Sequence, residues 1–336
     1  MIRSLPRLAA RIPGSQARVG SLPGRVPRVR RVLRPLRRGG ELLRLRTLRH
    51  LDPAHAPVTG HAGASVGVLR VMAITRPRLA LPRDHQILAA VGTLAPASAE
   101  DIQRLLFPGT EAEQARRSTA RRRLGKLCRL GLGRQLRTGN LADPAWYALT
   151  PLGKERVEEA SAGGETAVRT LTGLGRMNLK AHRELNRLRI SFVLAARAHP
   201  KLALRAWLPE RELRALAPRE QSPLVPDALI LFEHQESRTE IALAIELDLG
   251  TERHQVLRAK VAAYRALRGA PLFGSGHWLL VFVVPSARRG DVILRLLHEG
   301  GADDFAALGV LCELGERTVL AEGWYSAKTG EPVALF

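Results

Sequence analysis

The stretch "IALAIELDLGTERHQVLRAKVAAYRAL", residues 241–267, decides the fold of the second half of the chain. In residues 241–248 aliphatic side chains alternate with small or acidic ones, which predicts a β-strand with one buried face. The other face carries Ala242, Ala244, Glu246 and Asp248. An amphipathic pattern follows, in which Lys260 lies one turn before Tyr264 and borders the stripe that packs on the sheet. A strand followed by such a helix predicts an α/β domain.

The segments around this stretch have the patterns of further strands and helices. Helices are predicted at residues 177–198 and 252–268 and near 287–300, and strands at 202–207, 226–232, 240–248, 277–285 and 309–314. A helix, three strands, a helix and a strand in this order predict a mixed sheet with helices on both faces.

The first part of the chain with a clear pattern begins near residue 83. Three amphipathic helices are predicted at residues 83–92, 97–107 and 110–132, with Ser98 as the N-cap of the second. The segments 134–138 and 145–150 predict a hairpin around the turn sequence "GNLADP". Thr150 followed by Pro151 then predicts the start of a closing helix.

The third of these helices presents a cationic face. On a helical wheel its packed face lies opposite a polar face made of Ser118, Thr119, Arg122, Lys126 and Arg129, which Arg121 and Arg123 flank. Three helices, a hairpin and the exit pattern Y-x-L-T-x-x-G resemble the winged helix-turn-helix domains of bacterial DNA-binding proteins. A cationic face suits entry into the major groove of double-stranded DNA, and the alternative is a solvated surface.

Composition supports a polyanionic partner. The chain has 336 residues and a net charge of +22, of which +15 lies in residues 1–80. An excess of this size indicates nucleic acid more often than an anionic membrane surface. The apolar run "WLLVFVV" is far shorter than the roughly 20 residues of a membrane span. The two cysteines, Cys128 and Cys312, form neither a disulfide framework nor a zinc pattern. We therefore expect a cytoplasmic protein with no membrane partner.

Residues 1–80 are rich in Arg, Pro and Gly and lack a sustained period, which predicts a disordered basic tail. Three explanations are open: a mis-assigned start with Met72 as the true first residue, a nucleic-acid-binding arm, or an organelle transit peptide. The first is favoured, because Met72 directly precedes the first patterned segment.

Three carboxylates are predicted to lie near one another at the end of the strand. If residues 226–232 and 240–248 form a hairpin, Asp227 comes level with residues 245 and 246, and one of two registers puts it on the face of Glu246 and Asp248. Such a cluster resists ionisation unless a cation neutralises it, and Mg2+ or Mn2+ prefers hard oxygen ligands. The alternative is a set of ion pairs with Arg253 and Arg258.

The motifs "LKAHRELN", "VPDALI" and "IELDLGTERHQVLRAKVAAY", together with the helical part, resemble the replication-relaxation proteins of bacterial plasmids and integrative elements. They also resemble the PD-(D/E)XK nuclease superfamily, which has a restriction-endonuclease-like fold. The resemblance covers about residues 84–285. It implies a winged helix at residues 81–160, a linker at 161–175 and a nuclease-like α/β domain at 176–336.

The resemblance also implies roles for individual residues. Asp227 and Glu246 match the metal-binding acids, and Glu184 matches an acid that some members carry on the first helix. Asp248 occupies the position of the superfamily lysine, so Lys260 is the candidate replacement. The implied function is DNA binding, with Mg2+-dependent nicking if the site is active and with replication proteins as possible partners. The alternative is a non-enzymatic regulator or replication accessory.

Overall fold

The computed structural model describes residues 82–107, 112–140, 143–161, 168–175, 177–216 and 224–336. Within these ranges the chain is α/β, with eight helices and a seven-stranded mixed sheet. The predictions made for the tail at residues 1–80, for Met72 and for residues 162–167 of the linker lie outside the described residues.

The first part of the described chain combines four helices with a small antiparallel sheet in the order β1-β3-β2. Its elements are α1 (Pro82–Leu94), β1 (Ala97–Ser98), α2 (Ala99–Leu106), α3 (Glu113–Arg129), β2 (Gly133–Leu136), β3 (Trp146–Leu149) and α4 (Pro151–Ala160).

Local sequence signals explain where two of these helices begin. The Ser98 hydroxyl accepts a hydrogen bond from the Asp101 N–H at 3.1 Å, and the Asp101 carboxylate accepts one from the Ser98 N–H at 2.7 Å, which forms a capping box at α2. The Thr150 hydroxyl caps α4 by accepting from the Gly153 N–H at 3.1 Å. Both predicted caps are confirmed.

The second part contains the large sheet and the remaining helices. Its elements are α5 (Leu179–Ala198), β4 (Leu202–Pro209), α6 (Glu210–Leu216), β5 (Ala228–His234), β6 (Thr239–Leu247), α7 (His254–Ala266), β7 (Trp278–Val284), α8 (Ala287–Glu299), β8 (Ala306–Val310), β9 (Trp324–Ser326) and β10 (Pro332–Val333).

The large sheet has the strand order β10-β9-β8-β7-β6-β5-β4. Strands β4, β5 and β6 pair antiparallel, β6, β7 and β8 pair parallel, and β8, β9 and β10 pair antiparallel. Helix α5 packs on one face, where Phe192 belongs to the same buried cluster as Ile245. Helices α7 and α8 cover the other face, where Tyr264 and Ile293 join Ala244. The predicted mixed sheet with helices on both faces is confirmed.

Some elements differ from the sequence prediction. The strand predicted at residues 309–314 runs instead from Ala306 to Val310, because the segment "AALGV" consists mostly of small residues that are all buried and give no alternating pattern. Helix α6 and the short strands β9 and β10 were not predicted. The alanine face of β6 is buried, since Leu257, Val261 and Tyr264 of α7 belong to the same core cluster as Ala242 and Ala244.

Helix α5 connects the two parts of the described chain. The Asn186 side chain donates to the backbone oxygens of Pro96 at 3.0 Å and Leu94 at 3.3 Å, and Arg189 donates to the Thr93 oxygen at 2.8 Å. Ile190 belongs to the buried cluster of the first part, while Leu188 and Phe192 belong to a cluster of the large sheet. One helix therefore contributes to both cores.

Candidate functional site

The buried carboxylate of Glu246 is bound on both oxygens. Its side chain is 2 % exposed and lies at the end of β6. Lys260 of α7 donates to Oε2 at 2.8 Å, and the Tyr264 hydroxyl donates to Oε1 at 2.6 Å. Burial raises the pKa of Glu246 to about 7, although the charge of Lys260 acts to lower it. The glutamate is thus part of a closed ion-pair network between the sheet and α7.

A second glutamate, Glu252, completes this network. Lys260 donates to Glu252 Oε1 at 2.8 Å, while Glu252 Oε2 is buried with no hydrogen-bond partner among the described residues. Burial acts to lower the pKa of Lys260, but the carboxylates of Glu246 and Glu252 outweigh this effect and raise it. Sequence reasoning missed Glu252, and its position two residues before α7 was the available signal.

The other two predicted acids have separate partners. The register pairs Ala228 with Ile245, so that Asp227, one residue earlier, lies opposite Glu246 on the same face. Its Oδ2 accepts a hydrogen bond from the Leu247 N–H at 2.8 Å, and burial raises its pKa. Asp248 is 2 % exposed and binds Nε of Arg289 on α8 at 2.6 Å. Asp227 therefore lies opposite Glu246 but binds the backbone of β6, whereas Asp248 anchors α8.

On α3, the exposed cations and the bound ones form separate groups. Ser118, Arg121, Arg122 and Arg129 are exposed, and these three arginines form no ion pair with any described residue. Arg123 and Lys126 instead bind the fully buried carboxylate of Asp84 on α1, each at 2.8 Å. The Lys126 side chain is 40 % exposed although its ammonium binds Asp84 of α1, and its role in DNA binding stays a prediction. Thr119 is half-buried.

A family model described as replication-relaxation matches residues 88–275, which is more than half of the chain. The chain belongs to the replication-relaxation family. The matched range runs from α1 to the turn before β7 and contains both α3 and the Glu246 network. No curated protein and no solved structure matches the chain. None of the helices in the described ranges is long and apolar enough to cross a membrane.

Within this family member, Glu246 and Asp248 already have cationic partners from the protein. Mg2+ is usually held by one or two carboxylates together with water molecules. Both oxygens of Glu246 accept hydrogen bonds from the protein, the Lys260 ammonium already supplies the neutralising charge, and Asp248 is paired with Arg289. Among the residues that the structure describes, no group of three or more His, Cys, Asp or Glu is arranged to hold a metal ion.

Glu184 is not part of the acidic network. It lies on α5, whose buried residues pack on the face of the sheet that carries Ile230 and Ile245. The Glu246 side chain points to the opposite face, toward α7. Glu184 instead lines a cleft beside α2, α3 and the β2–β3 hairpin. The role that the resemblance implies for Glu184 stays a prediction.

Proposed function

We propose that this replication-relaxation protein binds double-stranded DNA through the exposed face of α3, in the replication or relaxation of a plasmid or integrative element. Helices α1–α4 and the β2–β3 hairpin act as a winged helix in this proposal. The observation that carries it is the alignment of Ser118, Arg122 and Arg129 on the face of α3 opposite the buried Ala120, Leu124 and Leu127.

The charge distribution of α3 supports a ligand rather than a purely structural role. Arg123 and Lys126 form ion pairs with the buried Asp84, so these two cations have a structural role. Arg122 and Arg129 are exposed and have no acidic partner among the described residues. Arginines of this kind on an exposed helix bind DNA phosphates and base edges in the major groove.

Replacing Arg122 and Arg129 together by alanine is expected to weaken binding of double-stranded DNA roughly thirtyfold, at about 1 kcal/mol for each lost contact. The matched control is Arg288→Ala with Arg295→Ala, because both arginines are exposed on α8 and the loss of charge is the same. Fluorescence anisotropy with a labelled duplex measures both affinities. Equal affinity of the two double variants would contradict the proposal.

In the α/β part, we propose that the Glu246 network stabilises the fold and that the domain serves as a non-enzymatic platform. This proposal is supported by the pairing of Lys260 with Glu246 and Glu252 and by the bond from Tyr264. One observation favours the opposite hypothesis of metal-dependent nicking. Asp227, Glu246 and Lys260, the residues that the resemblance implies, lie together.

A nicking assay separates these two hypotheses. Supercoiled plasmid incubated with the full chain and Mg2+ or Mn2+ is expected to stay supercoiled, because the Lys260 ammonium already neutralises Glu246 and Arg289 is paired with Asp248. The control variant is Glu246→Gln, which keeps the size of the side chain and removes its charge. Nicking by the wild-type chain that disappears in Glu246→Gln would overturn the platform proposal and establish a nuclease.

A further inference from the structure

A cleft of about 690 Å³ lies between α2, α3, the β2–β3 hairpin and α5. Guanidinium groups from all of these elements line it: Arg104, Arg117, Arg121, Arg137, Arg183 and Arg187. Two of them, Arg183 and Arg187, come from α5, which the domain prediction assigned to the nuclease-like part. The cleft is therefore cationic and is shared by both parts of the described chain.

Several acids also line the cleft, but most of them have partners within the fold. Glu100 pairs with Arg117, Asp101 forms the capping box with Ser98, and Asp143 accepts a hydrogen bond from Thr138 at 2.7 Å. Glu184 forms no ion pair with a described residue.

Five of the six lining arginines form no ion pair with an acid among the described residues: Arg104, Arg121, Arg137, Arg183 and Arg187. Arg104 donates a hydrogen bond to the Ser191 hydroxyl at 3.2 Å, and the other four are exposed. The positive charge of the cleft is thus available to a ligand.

Buried polar contacts fix the position of α5 relative to the connection between α1 and β1. The Asn186 side chain binds the oxygens of Leu94 and Pro96, and Nε2 of His182 lies 2.7 Å from the Pro96 oxygen. Arg183 lies one residue after His182, with its guanidinium 5.7 Å from the centre of the Trp146 ring in β3. A cation above an indole face is favourable, and here it holds Arg183 against the hairpin.

We infer that this cleft binds the sugar–phosphate backbone of DNA that flanks the α3 contact, so that α5 forms part of the DNA interface. The inference rests on the proposed function of α3. Arg121 lines the cleft and is adjacent in sequence to Arg122 of the exposed α3 face, so the cleft continues that face. Phosphate is the ligand that exposed guanidinium groups from several elements fit best. Contacts to the phosphates of the DNA backbone do not depend on the base sequence.

The first test is the double substitution Arg183→Ala with Arg187→Ala in the full chain, with Arg288→Ala and Arg295→Ala as the charge-matched control. Binding is measured with a duplex of about one helical turn and with one three turns long. The cleft variant is expected to lose at least fivefold in affinity for the long duplex and to bind the short duplex as the wild type does. The control is expected to bind both as the wild type does.

A second variant gives a gain of affinity, which a folding defect does not produce. Glu184→Gln removes the lining carboxylate that has no ion-pair partner, and it is expected to tighten binding of the long duplex two- to fivefold, since it removes repulsion of phosphate. If Glu184→Gln and the cleft variant both bind the long duplex with wild-type affinity, the inference is overturned.

The results also distinguish this inference from the proposal on which it rests. If Arg122→Ala with Arg129→Ala weakens binding but the cleft variant matches its α8 control, α3 binds DNA and the cleft does not. If the wild-type chain binds neither duplex, both the proposed function and the cleft inference fail.

Discussion

Replacing Lys260 by methionine is expected to lower the free energy of unfolding by about 3 kcal/mol at neutral pH and above, since a buried carboxylate loses its cation. Glu246 is 2 % exposed and Lys260 is 26 % exposed, so little water is available to replace the lost charge. Methionine keeps most of the apolar stem, which separates loss of charge from loss of packing. Urea denaturation of the full chain measures the change.

The cost of this substitution should depend on pH. The folded-state pKa of Glu246 is about 7, above its ordinary value of 4.5, so the folded chain binds more protons than the unfolded chain between these values. The contribution of this carboxyl to the free energy of unfolding is therefore complete below about pH 4.5, and it is lost as the pH rises through about 7. Removing Lys260 raises this pKa further. The loss of stability in Lys260→Met should thus be larger at about pH 8 than at about pH 6.

A control on the same helix is Arg258→Met. Arg258 pairs with Glu299 at 3.2 Å, and both side chains are more than half exposed, so its loss should change stability little at either pH. Equal effects of the two substitutions would show that the Lys260–Glu246 pair behaves as a surface ion pair.

The second large effect is expected from Gly153→Ala. Gly153 lies in the first turn of α4, and a Cβ atom added there would stand 1.8 Å from the Leu132 backbone oxygen. The clash is relieved only if α4 or the segment between α3 and β2 moves, so we expect a loss of about 3 kcal/mol. Thermal or urea unfolding of the full chain measures it. This contact also explains the glycine in the exit pattern Y-x-L-T-x-x-G.

Gly125→Ala is the matched control for this second prediction. Gly125 is also helical, but an added Cβ would meet only the end of the Arg129 side chain, at 3.7 Å. Alanine is the better helix former by about 1 kcal/mol, so this variant should be slightly more stable than the wild type. A loss of stability in Gly125→Ala that equals the loss in Gly153→Ala would remove the steric explanation.

Much of the fold follows from local patterns in the sequence. Ser98 with Asp101, and Thr150 with Pro151, define helix starts through contacts within a few residues. The alternation in β6 and the stripe that contains Leu257 and Tyr264 predict which sides are buried. The bounds of β8 were predicted three to four residues too late, because its small buried residues do not alternate with polar ones.

The candidate site depended on contacts between residues far apart in sequence, which local patterns do not contain. A helical wheel separates packed from exposed sides of α3, but it does not show that Asp84 of α1 lies beside Arg123 and Lys126. The register of β5 and β6 brought Asp227 level with Glu246, one of two placements that the hairpin sequence allowed.

Two acids of the second part also show that local patterns do not predict contacts between residues far apart in sequence. Asp248 is paired with Arg289 of α8, which is the third element after β6 along the chain. Glu184 was separated from Glu246 because α5 packs on the opposite face of the sheet from α7. In both cases the tertiary packing determines which residues lie near the acid, and the local sequence pattern does not contain this information.

The salt dependence of DNA binding tests the central claim most directly. The logarithm of the binding constant falls with the logarithm of the salt concentration by roughly 0.9 for each phosphate that the protein neutralises. If α3 binds DNA through Arg122 and Arg129, replacing both by alanine should make this slope shallower by up to roughly 1.8, while the α8 control keeps the wild-type slope. A folded α3 variant with the wild-type slope and affinity would contradict the account.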